Sequence, residues 1–346
     1  MGSVGQISLF DGQQRFRITK PIRLIELFAG IGSQAKALTN LGVEFEHHMV
    51  CEFDKYAVTS YNAVHGTDFK PSDIREIKGE ELGITDTDKY CYILTYSFPC
   101  QDLSNAGKGA GMAKGSSTRS GLLWEVERLL TETKELPTVL VMENVPQVIS
   151  EKNIKDFSQW VAFLDGLGYK SKWEILNAKD YGIPQNRERC FMVSMLGDYY
   201  YEFPARKPLK KRLKDMLEDS VGRVDLSDKM KAYINSYNGK YKVSDGNLVV
   251  NREIAVAKTT REGCTRADSS DYISREMDSN KNVAGMDLVP YRIRKLTPKE
   301  CWRLMGFTGK DVEKAVAVGM SNAQLYKQAG NSIVVQVLEG IFGEML

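Results

Sequence analysis

Short apolar runs alternate with amphipathic stretches through the first half of the chain. That rhythm belongs to an α/β domain, each run a buried strand and each stretch a helix laid against the sheet. Ile22 to Phe28, Phe45 to Glu52, Tyr92 to Ser97, Thr138 to Met142 and Cys190 to Met195 predict strands. Gln34 to Asn40, Tyr56 to His65, Leu122 to Thr133 and Phe157 to Leu167 predict helices, with apolar positions recurring on one face. Near Asp198 the pattern changes. Tyr201 to Lys214 is rich in lysine, arginine and proline, and the polar stretch to about Pro290 keeps no helical period. Regularity returns at Leu296, where Pro298 opens a helix through Met305, and Val334 to Leu346 reads as an amphipathic helix.

A chain of 346 residues is long enough for two domains. Its formal net charge is only +2, so any affinity for nucleic acid has to come from local basic clusters. The six cysteines (Cys51, Cys91, Cys100, Cys190, Cys264 and Cys301) lie far apart, at no zinc-knuckle or redox-pair spacing, and the three histidines add no ligand pattern. Reduced thiols and no metal are therefore expected. The chain shows no apolar secretory core and no run long enough for a bilayer, which predicts a soluble, cytoplasmic protein without a membrane partner.

Within this frame Ser97-Phe98-Pro99-Cys100-Gln101-Asp102-Leu103-Ser104-Asn105-Ala106-Gly107 stands out, because a proline holds a cysteine just past a strand end. Proline fixes φ, so the thiol is presented from a stiff turn, as a nucleophile would be. Taken alone, Cys100 reads as a buried structural thiol, as most free cysteines are. Leu24-Ile25-Glu26-Leu27-Phe28-Ala29-Gly30-Ile31-Gly32-Ser33 is a strand, a glycine turn and the start of a helix, where a backbone can approach a ligand closely. Glu52, at the end of the second strand, suits ribose hydroxyls, and Asp73 suits an adenine amino group. Gly30, Gly32 and Ala35 with Glu52 also satisfy a loose dinucleotide fingerprint, so an adenosine-containing cofactor is indicated and its kind is left open. Glu143 closes the apolar run Val139 to Met142, on the same sheet edge as Cys100 if both strands run parallel. Gln185, Arg187 and Arg189 would share one face of a strand, which also describes an exposed edge strand with solvated charges.

With these residues in hand, the chain resembles the DNA (cytosine-5) methyltransferases. The likeness rests on Phe28 to Gly32, Glu52 with Asp54 to Ala57, Pro99-Cys100-Gln101, Glu143-Asn144-Val145, Gln185 to Arg189, Arg294 to Phe307 and Gln328-Ala329-Gly330-Asn331-Ser332. Leu94 to Ser104 and Thr118 to Glu125 look most like the mollicute CpG branch. The resemblance implies a Rossmann-like S-adenosylmethionine-dependent fold and Cys100 as the nucleophile toward cytosine C6. Glu143 would act at N3, and Arg189, with Arg187, would hold the ring. For the cofactor it implies Phe28, Ala29, Gly30 and Gly32 at the turn, and Glu52, Phe53, Asp73 and Ile74 around the adenosine. Pro99, Leu123, Asn331 and Ser332 would complete that site, and S-adenosylhomocysteine would be the product.

Duplex DNA is the implied partner, with the target cytosine flipped out and Gly107 to Gly121 closing over it. Gln101, Ser104 and Arg119 would touch DNA near the reacting base. Lys210 and Lys211 would meet phosphates or serve as a solvated face, while Thr259, Arg261 and Arg266 would belong to the recognition segment. The expected domains are a catalytic one over 1–197, completed by 327–346, and a small one over 198–326 holding a mostly irregular or β recognition region, with a basic cleft between them. A monomer is expected, in a bacterial or phage-infected cell, with a cognate restriction endonuclease as a compatible partner. Three alternatives stay open: a tRNA cytosine-5 methyltransferase, a non-catalytic DNA-binding relative, and an NAD-dependent oxidoreductase that leaves Pro99-Cys100-Gln101 unexplained.

Overall fold

The structure, a computed structural model, describes residues 14–103, 111–116, 118–219, 221, 253–258, 272–275 and 292–346. Its first elements are β1 (Ile22–Leu27), α1 (Ser33–Asn40), β2 (Phe45–Cys51), α2 (Lys55–His65), β3 (Cys91–Tyr96), α3 (Leu123–Glu132), β4 (Val139–Asn144), α4 (Ile154–Gly166), β5 (Tyr169–Asn177) and β6 (Glu188–Leu196). β1, β3 and β4 are buried along their length apart from Arg23, as continuous apolar runs should be when both faces are covered. β2, β1, β3 and β4 pair in parallel, and β6 joins β4 antiparallel. The sheet order is β2-β1-β3-β4-β6-β5.

The helices are placed by the apolar faces that the sequence predicts. Val126 and Leu129 of α3 and Phe157, Trp160 and Leu164 of α4 join Leu94, Leu140 and Met142 of the sheet in one core. The indole of Trp160 donates to the Tyr96 hydroxyl at 3.0 Å, so the one polar atom of that buried ring is satisfied. Asp54 caps α2 by accepting from the Tyr56 amide, and Gly66, in the left-handed region, ends it.

The chain divides into two compact units: residues 14–176, 188–205 and 337–346 form one, and 177–187 with the described part of 206–336 form the other. This division differs from the expected one at three places. Residues 198–205 stay with the first unit, where Tyr199–Tyr200 pairs with Gln14–Arg15. Residues 177–187 go to the second, where Gln185–Asn186 pairs with Ala255–Val256, and 327–336 go there too.

The second unit also pairs Tyr272–Arg275 with Arg292–Lys295 and carries α5 (Pro298–Arg303), α6 (Gly309–Ala317) and α7 (Asn322–Asn331). Capping boxes at Thr297/Glu300 and Thr308/Asp311 start α5 and α6. Arg294 and Glu300 form a buried, two-pronged ion pair. A last helix, α8 (Val335–Gly343), leads to the C-terminus.

Sequence patterning misses β5, α6 and α7. β5 is the sheet edge and is exposed or half-exposed from Lys170 to Ile175, which breaks its apolar period. α6 buries only Val312 and Ala315 among its apolar residues and α7 only Leu325 and Ala329, too thin an apolar face to stand out in the sequence. Among the described residues, no helix is long and apolar enough to cross a membrane.

Candidate active site

At the end of β1 the backbone turns sharply. Phe28 has φ +58°, which is costly for a bulky side chain, followed by Gly30 at +58° and Gly32 at +77°. A Cβ on Gly30 would meet open space, whereas one on Gly32 would strike the rings of Tyr61 and His65. Glu52 braces the turn. One carboxylate oxygen accepts from the Gly30 amide at 2.9 Å and the other from the Asp54 amide at 2.8 Å. The Glu52 carbonyl accepts from Ser72, which brings the Asp73 segment alongside. Phe53, next to Glu52, is 74 % exposed, an unusual position for a large apolar ring.

Asp73 is not the open acceptor that the sequence suggests. Arg75 grips both of its oxygens and holds its carboxyl below the usual range. Ala29 and Ile74 are buried, and Leu123 is wholly buried in the core, so its side chain is closed to a ligand.

Beneath the turn lies a residue that sequence reasoning passed over. Glu26, fully buried in β1, accepts from the Tyr61 hydroxyl at 2.5 Å and from the Ala35 amide in the first turn of α1. α1 has no side-chain cap of its own, so Glu26 serves that end from below. His47 bonds the same hydroxyl, and His65 reaches the Ile31 carbonyl at 3.0 Å. Burial pushes the Glu26 carboxyl up to about 7, with the Tyr61 and Ala35 bonds pulling the other way. A carboxylate inside an apolar strand was the available signal.

The second cluster sits where β3 and β4 end. These strands run parallel with Tyr96 opposite Met142, so their following segments leave from one sheet edge. The Asn144 amide donates to the Phe98 carbonyl at 3.0 Å and ties the approach to Cys100 onto the end of β4. Cys100 is half-buried against the core, and its carbonyl accepts from Leu103 at 3.1 Å, so the thiol opens a tight turn. Beside Asn144, Glu143 pairs with Arg189, Nε to Oε1 at 3.1 Å, both side chains mostly shielded from water. A thiol on a fixed turn and a carboxylate balanced by a guanidinium suit covalent attack on a polar ring with proton handling at its edge.

Arg187 does not share a strand face with Arg189. The predicted single strand breaks at Arg187, between Gln185–Asn186 and β6. The Arg187 guanidinium donates to the carbonyls of Lys258, Gly330 and Ser332 inside the second unit. Gln185 is buried there as well, bonded to Leu304 and Lys258. These are bonds that hold backbone together.

Asn331 is the exposed last residue of α7, and the buried Ser332 hydroxyl donates to the Gln328 carbonyl. Gln101 and Arg119 are exposed and bonded to each other at 2.7 Å, and the Pro99 carbonyl accepts from Ser120. Lys210 and Lys211 are exposed. Ser104, Thr259, Arg261 and Arg266 lie outside the described residues. Among the described residues, no group of three or more His, Cys, Asp or Glu could hold a metal ion.

The profile of the C-5 cytosine-specific DNA methylases matches residues 22–346. The chain is 30% identical to the type II methyltransferase M2.ScrFI of Lactococcus lactis subsp. cremoris, covering 94% of this chain and 99% of that protein. It is also 30% identical to the orphan methyltransferase M.SssI of Spiroplasma monobiae, covering 94% and 98%. Among solved structures, the Entamoeba histolytica methyltransferase EhMeth superposes with a TM-score of 0.74 at 17% identity, covering 94% of this chain and 98% of that one. The S. pombe Dnmt2 methyltransferase gives 0.72 at 19%, with the same coverage. Identities that low speak for the fold, a Rossmann-like α/β methyltransferase. With the profile matched from β1 to the C-terminus and relatives aligned along nearly their whole length, the chain belongs to the C-5 cytosine-specific DNA methylase family.

Proposed function

We propose that this C-5 cytosine-specific DNA methylase works on duplex DNA through a covalent Cys100 adduct, with S-adenosylmethionine held at the Gly30–Gly32 turn. The turn fits that group: open space over Gly30, a carboxylate at Glu52 with capacity for ribose hydroxyls, and an exposed Phe53 ring for an adenine to stack on. Bound there, S-adenosylmethionine supplies an electrophilic methyl group and leaves as S-adenosylhomocysteine.

The chain's own residues do the rest. Cytosine C5 is a poor nucleophile until C6 is attacked. The Cys100 thiolate forms a bond from Sγ to C6, and the displaced π electrons move onto C5 and the N3 side of the ring. Glu143 takes up a proton from water as the base enters and passes it to N3 as that charge develops, and Arg189 holds O2 while keeping Glu143 in place. C5 then takes the methyl group and loses its proton to water. The returning electron pair restores the C5–C6 double bond, the Sγ–C6 bond breaks, and N3 gives its proton back to Glu143. A duplex base is inaccessible to this sequence of steps, so the cytosine must be flipped out. Exposed Lys210 and Lys211 serve the phosphates, and Arg187 acts as a positioning residue for the backbone it bridges.

The observation that carries this reading is the double tie at the end of β4: Asn144 to the segment before Cys100, and Arg189 to Glu143. Incubating plasmid and tRNA with the protein and S-adenosylmethionine, then mapping 5-methylcytosine by bisulfite sequencing, tests it. Methylation of plasmid by the wild type and none by Cys100→Ser is expected. Retained methylation in Cys100→Ser would overturn the covalent mechanism, and methylation confined to tRNA would move the substrate to RNA.

A further inference from the structure

The turn that carries Cys100 is stitched to a second segment, eighteen residues on, by bonds that the reaction itself does not use. The Ser120 hydroxyl donates to the Pro99 carbonyl at 2.7 Å and accepts from the Asp102 amide at 3.3 Å. It therefore grips the backbone on both sides of Cys100. One oxygen of the Asp102 carboxylate accepts in return from the Arg119 amide at 2.8 Å and the Ser120 amide at 3.3 Å. Those amides sit at the start of the 3₁₀ turn Ser120–Leu122 that runs into α3. Helix starts leave amides without intrahelical partners and favour negative charge, so Asp102 caps this one from across the chain. Ser120 is fully buried, so its hydroxyl has these bonds in place of water. The Asp102 carbonyl also accepts from Gly111 at 3.0 Å.

We propose that Asp102 and Ser120 are positioning residues for Cys100, forming a reciprocal clasp that sets the nucleophile turn against the rigid end of α3. Neither touches the reacting ring. The clasp makes the direction of Sγ a property of a packed helix rather than of a loop. Gln101 is drawn into the same arrangement through its bond to Arg119, so the residue beside the nucleophile is fixed with it. A thiol displaced by about 1 Å from its attack position can lose about a hundredfold in rate.

This inference rests on Cys100 being the nucleophile, and the test separates the two. Methyl transfer to unmethylated plasmid with tritiated S-adenosylmethionine would be followed for wild type, Asp102→Ala, Asp102→Asn, Ser120→Ala and Cys100→Ser. S-adenosylhomocysteine binding and melting temperature would be measured on each. Asp102→Ala and Ser120→Ala should lower kcat by about tenfold or more, with cofactor affinity within about twofold of wild type. Asp102→Asn keeps an acceptor oxygen and should recover most of kcat. A kcat for Asp102→Ala within twofold of wild type would overturn the clasp. So would an equal loss in Asp102→Asn, or a loss that tracks cofactor affinity and melting temperature. Should Asp102→Ala fail to fold, the Ser120→Ala and Asp102→Asn pair decides by the same criteria. If Cys100→Ser still methylates, the nucleophile reading fails; if it is inactive while the clasp variants are fully active, only the clasp fails.

Discussion

Arg189 of β6 reaches Glu143 on the neighbouring antiparallel strand β4, Nε to Oε1 at 3.1 Å, at positions offset diagonally in the ladder. The pair keeps a carboxylate in a mostly shielded place without leaving its charge uncompensated. Glu143→Gln and Arg189→Ala should each lower single-turnover methyl transfer by about a hundredfold or more, the cost of losing one preorganised group at a developing charge. The double variant should lose far less than the product of the two, because the groups act as a unit. Full additivity in rapid-quench measurements would show that they work separately.

Glu52 offers a different kind of test, because its carboxylate already holds two backbone amides. Glu52→Ala removes the acceptor proposed for ribose hydroxyls and also takes the carboxylate from the Gly30 and Asp54 amides. A ribose hydroxyl buried without its acceptor costs about 1–3 kcal/mol, so S-adenosylhomocysteine should bind at least about tenfold more weakly. Titration calorimetry reads this directly; affinity unchanged by the substitution would move the ribose contact elsewhere.

The two glycines of the turn should separate folding from binding. Alanine at Gly32 would place its Cβ 2.6 Å from the Tyr61 ring, a clash inside the packed unit, and should lower the melting temperature sharply. Alanine at Gly30 meets no protein atom and suffers only the positive φ, about 1 kcal/mol or slightly more. Gly30→Ala should therefore fold but lose cofactor affinity. Thermal melts with and without S-adenosylhomocysteine would distinguish the two variants.

Glu26 predicts a pH dependence with a definite sign. Its folded carboxyl titrates at about 7, raised from 4.5 chiefly by burial. Between those values the folded state binds the extra proton, so this group's contribution is complete below 4.5 and is lost as pH rises through about 7. Its slope is at most about 1.4 kcal/mol per pH unit. Urea unfolding of wild type and Glu26→Gln from pH 5 to 7.5 should show the wild type losing stability with pH relative to the variant. Parallel curves would mean that Glu26 stays ionised.

Much of the candidate site was legible because the chemistry proposed for it calls for residue types at strand ends. Cys100 behind a proline, Glu52 and Glu143 at the close of apolar runs, and Gly30 at a turn are local facts, visible in the chain before it folds. Buried strands betray themselves by continuous apolarity, and most of the sheet was foreseen for that reason. Partners distant in sequence were not. A two-residue spacing placed Arg187 and Arg189 on one face, yet a backbone break sends the first guanidinium to carbonyls near Lys258 and Ser332 and the second to Glu143.

Glu26 is a single carboxylate in an apolar strand along the sequence, and only the fold brings Tyr61 and Ala35 against it. Asp102 and Ser120 were merely polar neighbours of a motif until the chain folded back on itself. The sequence alone determined which groups could do chemistry, because reactivity resides in a side chain. Only the tertiary structure decided which groups are held still for it, since a hydrogen bond depends on distance and direction in space and not on separation along the chain.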